Sequence, residues 1–434
     1  MDPILLALGF TLVALITLLA SGVWIAVSLL GIGIGALAIF TPVPLGDLVI
    51  GKIWEASGAW PMTALPLFIW MGEILSRTNL SREMFKGLAP WVGWLPGRLL
   101  HINVLGCGIM AAVAGSSAVT AATVGRMSMA ELEERKYNDR LMIGTLAGSA
   151  TLGLLIPPSI VLIVYGVLAQ QSVARLFMAG ILPGLMLVLM FMAYVATWAL
   201  FNPGKMPPRE PRMSLLQRLS ASLGLLPILL LIAVVIGSIY AGVATPTESA
   251  TFGVIGALMI AYFTNSLSWQ IFVESLLGAT RIACMIAFIV AAASVLSSAF
   301  SFIGIPLYLA QMVSALELSS YMLIFVLTIF FIVLGCFLEG ISILVISSAV
   351  VLPLLQSAGI DLLWFGIYAV VIIEMAQITP PVGFNLFVLQ SITGRNIWHV
   401  TLAALPFFLI LCLAALILVI FPSIVTWLPS VLSG

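Results

Sequence analysis

Two double prolines interrupt apolar segments that are each long enough to cross a bilayer. Pro157 and Pro158 follow Gly153 in the first segment, and Pro380 and Pro381 interrupt the second. Each proline removes a backbone donor and clashes with the carbonyl group one turn earlier, so each segment is predicted to form two half-helices joined by unwound backbone. Inside a membrane, unwound backbone is stable only where it lines a protein-enclosed or watery cavity. Such a pair of interruptions, one in each half of the chain, indicates a binding site of a transporter.

The composition predicts an all-α polytopic membrane protein. Hydrophobic residues make up 62% of the 434 residues and charged residues only 7%, whereas a soluble domain has roughly 25% charged residues. At about 20 residues per span, roughly ten to twelve membrane segments are expected. The 16 basic and 16 acidic residues balance, so nothing indicates binding to nucleic acid. The four cysteines lack metal-ligand spacing and are interpreted as packing residues, and no catalytic set of side chains indicates an enzyme.

Two further apolar stretches are interrupted by small residues and are predicted to be re-entrant hairpins. The first covers about residues 99–125 and turns at 115–118, and basic residues flank it on both sides. Both its ends are therefore expected in the cytoplasm. The second covers about residues 321–355 and is interrupted at 335–342. The preceding residues 301–320 contain no lysine or arginine, which is consistent with the outside.

The two halves repeat the same landmarks. The double prolines are 223 residues apart (380 − 157), and each stands 40 residues after a hairpin landmark (157 − 117 and 380 − 340). Because charge places the ends of the first hairpin inside and those of the second outside, the repeats are expected to be inverted. The predicted units are a first repeat at 1–201 with a broken helix at about 141–170, a cytoplasmic linker at 202–222, and a second repeat at 223–434 with a broken helix at about 362–390.

Ligands are expected at the irregular backbone of the hairpin tips and helix breaks. Carbonyl groups and hydroxyls there suit a hard cation such as Na⁺, and free N–H groups at half-helix N-termini suit a carboxylate. The candidates for two Na⁺ sites are Gly115, Ser116, Ser117 and Gly153 for site one, and Gly335, Gly340, Ser342, Thr379 and Gly383 for site two. Substrate is expected at Pro157, Ser159, Pro380 and Asn385. An isolated Gly-Ser pair is more often helix packing, and the repeated pairing of tip with break favours binding.

Acidic residues in apolar stretches are costly and are candidates for function. Glu73 is interpreted as an ion-pair partner of Arg77, and Glu248 as a helix-start residue after Thr245. Glu339 and Glu374 lie closer to the predicted sites, and direct involvement with ion, proton or substrate stays open for both. The two histidines, His101 and His399, are interpreted as structural residues at the membrane interface.

Four motifs, in this order and spacing, resemble those of the large membrane subunit of tripartite ATP-independent periplasmic (TRAP) transporters. They lie along nearly the whole chain, and their combination is more specific than any one of them. The motifs are Gly115-Ser116-Ser117, Gly153-Leu154-Leu155-Ile156-Pro157-Pro158-Ser159, Ala244-Thr245-Pro246-Thr247-Glu248-Ser249 and Thr379-Pro380-Pro381-Val382-Gly383-Phe384-Asn385.

The resemblance implies a Na⁺-driven importer of organic anions, such as C4-dicarboxylates or sialic acids, in a bacterial inner membrane. It implies two partners, a small membrane subunit of four spans and a periplasmic solute-binding protein that delivers the substrate. It also implies an elevator mechanism, in which hairpins and broken helices carry the site across the membrane. The ion ligands that it implies are Ser116, Ser117, Gly153, Gly340, Thr379 and Gly383. Neither the resemblance nor the residues identify which carboxylate is carried.

Three alternative functions make different demands on the protein. A dicarboxylate or citrate carrier of similar architecture would work alone, without a binding protein. An ion channel would conduct passively, so uptake against a substrate gradient that requires a Na⁺ gradient would exclude it. An intramembrane enzyme would need a catalytic set of side chains, and none is visible in the sequence.

Overall fold

The protein is entirely helical in the part of the chain that its computed structural model describes, residues 3–78, 80–208, 213–315, 319–380 and 383–432. The helices up to residue 201 are α1 (Pro3–Ala20), α2 (Ile25–Phe40), α3 (Leu45–Ser57), α4 (Ala64–Ser76), α5 (Leu80–Val92), α6 (Leu100–Ala114), α7 (Ser117–Glu134), α8 (Asp139–Ala150), α9 (Leu152–Leu155), α10 (Ile160–Leu168) and α11 (Val173–Phe201).

The remaining helices are α12 (Leu215–Ser222), α13 (Leu226–Tyr240), α14 (Pro246–Phe263), α15 (Trp269–Ile303), α16 (Ile305–Ala315), α17 (Ser320–Gly335), α18 (Gly340–Ser357), α19 (Leu362–Gln377), α20 (Phe384–Thr393), α21 (Ile397–Ile420) and α22 (Ser423–Leu432). An all-helical membrane fold is therefore confirmed.

Within the described ranges, fewer helices than expected are long enough to cross a bilayer alone. Five apolar segments pass that test, and a sixth span is formed if the helices on either side of Pro157, which are bent by 41°, are counted together. Seven further apolar helices have only 10 to 17 residues. The expected ten to twelve segments assumed uniform spans of about 20 residues, whereas proline, glycine and polar residues divide much of the apolar sequence into shorter helices.

Polar residues at helix N-termini explain where several of the helices begin. Asn138 accepts a hydrogen bond from the N–H of Leu141 and starts α8. Thr245 and Glu248 form a reciprocal capping box at the start of α14, which confirms the interpretation of Glu248 from the sequence. Each bond satisfies a backbone donor that the first turn of a helix would otherwise leave free.

Two segments differ from their predicted bounds. The second arm of the first hairpin, α7, continues to Glu134 instead of ending near residue 125, because residues 126–134 contain no helix breaker and the pair Arg135–Glu131 (2.5 Å) supports the last turn. The segment predicted as a linker, 202–222, contains α12, which a capping box at Ser214 begins. Residues 209–212 of that segment lie outside the described ranges.

The broken helices form the centre of the protein. Every residue of α8 from 141 to 150 is buried, and so is every residue of α19 from 363 to 377. Such helices are apolar around their whole circumference, as expected for elements surrounded by other helices. Helix α21 packs against both of them, and α18 packs against α10 and α19.

The long helix α15 packs against α2, α3 and α4, with which it forms a wall, and it also contacts α18. Arg77, just after α4, bonds Glu73 on that helix at 3.0 Å and Glu274 on α15 at 2.9 Å. The prediction that Glu73 pairs with Arg77 is thus confirmed. Arg77 therefore links α4 to α15 at the edge of the protein where basic residues cluster.

Candidate functional site: two hairpin tips and two helix breaks

The first hairpin turns between α6 and α7 over two residues. Gly115 ends α6 with φ +59°, a left-handed conformation that glycine adopts freely and other residues only at a cost. Ser116 is extended and precedes α7, and Ser117 is the first residue of that helix and is buried. The backbone of this short turn is therefore accessible for close contact with a neighbouring segment.

The first tip packs directly on the first helix break. A Cβ atom added to Gly153 would lie 2.7 Å from the carbonyl carbon and oxygen of Ser116 and from Cα of Ser117. A Cβ added to Gly115 would lie 3.0 Å from the carbonyl oxygen of Pro158. Backbone atoms cannot move aside as a flexible side chain can, so glycine permits this approach. The structure thus brings together all four candidate residues of site one.

The first break extends between α9 and α10. The Ser159 hydroxyl donates to the carbonyl oxygen of Leu154 at 2.5 Å and accepts from the N–H of Leu162. Ser159 is fully buried, and Pro157 is buried beside it. The serine hydroxyl therefore joins the two half-helices across the prolines and also caps α10.

The second tip lies between α17 and α18 and is joined to the second broken helix by side-chain hydrogen bonds. The Gln377 side chain donates to the carbonyl oxygen of Leu338 at 3.1 Å, and the Cys336 thiol donates to the carbonyl oxygen of Pro380 at 3.3 Å. Sequence analysis did not single out these residues as functional. The sequence feature that could have indicated this contact is Gln377, a polar residue inside an apolar span.

The candidates for site two are less closely assembled than those for site one. Gly335 lies so close to Ala376 that an added Cβ would collide with the alanine side chain. The hydroxyl of Ser342 donates to Glu339 at 3.3 Å, within the tip. Gly340 instead faces Ile373 and the side chain of Leu154, from the first half.

The second break ends at Gly383, with φ +50°. A Cβ added there would lie 2.7 Å from the carbonyl oxygen of Thr379. The Thr379 hydroxyl donates to the carbonyl oxygen of Met375, one turn earlier in its own helix. Pro381, the second proline of this pair, lies outside the described residues.

Glu374 lies where elements of both halves meet. Its side chain is 1% exposed, and its carboxyl group faces the Ser117 hydroxyl, the Leu154 backbone N–H and the Asn385 side chain. In the described chain neither carboxyl oxygen accepts a hydrogen bond of good geometry, and the buried Asn385 amide forms none through either atom. From the sequence, Glu374 was a costly charge close to the predicted sites, with direct involvement left open, and the structure adds its neighbours.

Two cavities with both polar and apolar side chains in their walls lie beside the hairpins. The first, of 1410 Å³, separates α7 from α4, α5 and α15, contains Arg77, Arg126 and Glu274 in its wall, and reaches Val119, two residues beyond Ser117. The second, of 900 Å³, lies between α18, the end of α10 and the other end of α15, and its wall includes Gln170. Helix α15 thus lines both cavities.

A multi-pass helical protein with irregular backbone packed at its centre and a cavity at either end of a long helix belongs to the membrane transport proteins. The family model described as "Tripartite ATP-independent periplasmic transporter, DctM component" matches residues 12–424. The chain belongs to this family and is a TRAP transporter large permease, as the motifs predicted. It is a multi-pass protein of the bacterial inner membrane and not an enzyme.

Named relatives match over most of the chain. The "C4-dicarboxylate TRAP transporter large permease protein DctM" of Pseudomonas aeruginosa is 34% identical over 399 residues, which cover 91% of this chain and 92% of the relative. The protein of the same name in Rhodobacter capsulatus is 34% identical, with 96% and 98% covered. The "Sialic acid TRAP transporter permease protein SiaT" of Haemophilus influenzae is 25% identical, with 88% and 62% covered.

A solved structure shares the fold. The YdaH transporter of Alcanivorax borkumensis superposes with a TM-score of 0.64 over 98% of both chains, at 14% identity. This similarity supports the all-helical transporter architecture and does not extend to substrate or mechanism.

Proposed function

We propose that this chain is the Na⁺-coupled large permease of a TRAP transporter that imports a carboxylate-bearing organic anion. Its partners are a small membrane subunit of four spans and a periplasmic binding protein that delivers the substrate. The observation that carries the proposal is the backbone contact between the first tip and the first break, at Ser116 and Gly153. Tight glycine contacts of this kind bring backbone oxygen atoms of two unwound segments close together.

The residues of site one fit a Na⁺ ion in their chemistry. Their ligand groups are carbonyl oxygens and the hydroxyls of Ser116 and Ser117, and hard cations are bound by oxygen. Site two would use carbonyl groups near Gly340 and Gly383 and the hydroxyl of Thr379. The bound ions would supply positive charge beside the pocket, which favours a carboxylate there.

The names of the relatives support an anionic substrate. They include transporters of C4-dicarboxylates, sialic acid and isethionate, all of which are organic anions. The cavity beside α7 provides a route for such an anion toward the basic edge of the protein. Pro157, Ser159, Pro380 and Asn385 are the proposed substrate contacts.

Transport in reconstituted vesicles tests the proposal. The chain is co-purified with its small subunit, and uptake of radiolabelled succinate and sialic acid is measured with and without the binding protein. We expect accumulation of one of these anions only when both the binding protein and an inward Na⁺ gradient are present. Accumulation without the binding protein would favour a carrier that works alone and would contradict the proposal.

We propose that residues 1–201 and 223–434 form an inverted repeat and that the protein works by an elevator mechanism. The hairpins and broken helices carry the site across the membrane, and the wall that contains α15 stays fixed. The two cavities, placed at opposite ends of α15, support this arrangement.

Opposite orientation of the repeats predicts opposite labelling of two engineered cysteines. A cysteine at Arg135 should react with an impermeant maleimide only from the cytoplasmic face, and one at Ser319 only from the periplasmic face. Labelling of intact and of disrupted spheroplasts measures this, in a background that lacks the exposed native Cys284. Reaction of both positions from the same face would exclude the inverted arrangement.

A further inference from the structure

The Glu374 carboxyl group is buried without a partner that balances its charge. It lies in the middle of α19, whose residues 363–377 are all buried. Among the described residues it takes part in no ion pair within 4.0 Å, and neither of its oxygens has a hydrogen-bond partner. An ionised carboxylate is unstable in an apolar interior unless an opposite charge compensates it. A bound cation would provide that charge.

The groups around this carboxyl offer oxygen ligands from three helices. The Ser117 hydroxyl belongs to α7, the Asn385 side-chain amide to α20, and the carboxylate to α19. Carboxylate, hydroxyl and amide oxygens together are the donor set that hard cations prefer. The Leu154 N–H also faces the carboxyl group and orients it.

The Asn385 amide is an independent indication of a ligand. It is fully buried, and neither its oxygen nor its nitrogen has a hydrogen-bond partner within the described residues. A buried amide is stable only when its polar atoms are paired. A cation bound by Glu374 would also pair the amide oxygen.

We propose that Glu374, Ser117 and Asn385 bind a hard monovalent cation at a third site, shared by the two halves of the chain. A single carboxylate neutralises a single positive charge, which favours Na⁺ over a divalent ion. The inference rests on the proposed Na⁺ coupling. Ser117 is also a proposed ligand of site one, so replacement of Glu374 also changes the surroundings of that site.

Direct binding of Na⁺ tests the third site. The complex of the full chain with its small subunit is purified in detergent, and ²²Na⁺ binding is titrated at constant ionic strength with choline as the replacement cation. Wild type should bind one more Na⁺ per chain than Glu374→Gln. Since loss of a residue that supports a metal typically costs about 10- to 100-fold in affinity, we expect half-saturation of the remaining sites to shift upward by about tenfold.

Two further variants control for folding. Glu134→Gln makes the same chemical change at the exposed end of α7 and should bind Na⁺ as wild type does. Glu374→Asp keeps the charge and should retain the third ion with weaker affinity. If Glu374→Gln does not fold, Asn385→Ala tests the same site and should show the same loss.

The outcomes separate this site from the proposed coupling. Wild-type stoichiometry and affinity in Glu374→Gln, or in Asn385→Ala if only that variant folds, would overturn the third site while leaving sites one and two intact. Failure of wild type itself to bind ²²Na⁺ would overturn the Na⁺ coupling, and the third site with it.

Discussion

Replacement of Gly153 by alanine should nearly abolish Na⁺-driven uptake. The new Cβ would lie 2.7 Å from backbone atoms of Ser116 and Ser117, so the first tip and the first break would have to separate. Overpacking of this kind costs about 1–3 kcal/mol, and the separation would also move the carbonyl groups proposed to bind Na⁺. A change of about 1.4 kcal/mol corresponds to about a tenfold change in rate. Because ion binding is impaired in addition, we expect the initial rate of uptake to fall by about 100-fold.

A glycine without neighbours provides the matched control. Gly237 lies inside α13, and an added Cβ would have no other atom within 4 Å. Gly237→Ala should therefore transport at the wild-type rate, and should be slightly more stable because alanine favours the helix. Wild-type uptake by Gly153→Ala, at equal amounts of protein in the membrane, would show that the close contact is not needed for transport.

Replacement of Gly383 by alanine should have the second-largest effect. Alanine at φ +50° is strained by about 1–2 kcal/mol, and its Cβ would lie 2.7 Å from the carbonyl oxygen of Thr379. That oxygen belongs to the proposed second Na⁺ site. We expect uptake to fall by about tenfold to 100-fold and the Na⁺ concentration for half-maximal uptake to rise.

A glycine at the other end of α20 provides the control for this substitution. Gly394 ends α20 with φ +65°, and an added Cβ would have no neighbour within 4 Å. Gly394→Ala therefore carries the backbone strain without the contact to Thr379. It should lower protein stability while leaving the Na⁺ dependence of uptake unchanged. Equal Na⁺ dependence in both variants would assign the effect of Gly383→Ala to strain alone.

The sequence was sufficient to predict the all-helical membrane fold and the family, because both depend on features that are local in the chain. The bilayer restricts the backbone to helices, and glycine and proline mark where those helices end. The turn at Gly115 and the break at Pro157 lie where small residues and prolines interrupt apolar runs.

The neighbours of Glu374 were beyond prediction. The position of Glu374 beside Ser117 depends on how α19 packs against the first tip, and side-chain spacing within one helix contains no information about this. The length of α7 was underestimated because charges were taken to end the hairpin, although charged residues with i, i+4 partners are compatible with a helix. The helix α12 in the presumed linker was missed for a similar reason, since its capping box was not recognised.

Leu154 has a consequence for how the protein can move. Its carbonyl group accepts from Ser159, its N–H faces Glu374, and its side chain contacts Gly340 at the start of α18. One residue of the first half therefore touches its own break, the second broken helix and the second hairpin at once. Sliding of the first break past the second broken helix and the second hairpin would disrupt the two contacts that Leu154 makes with the second half, so we expect these three elements to move together as one rigid body.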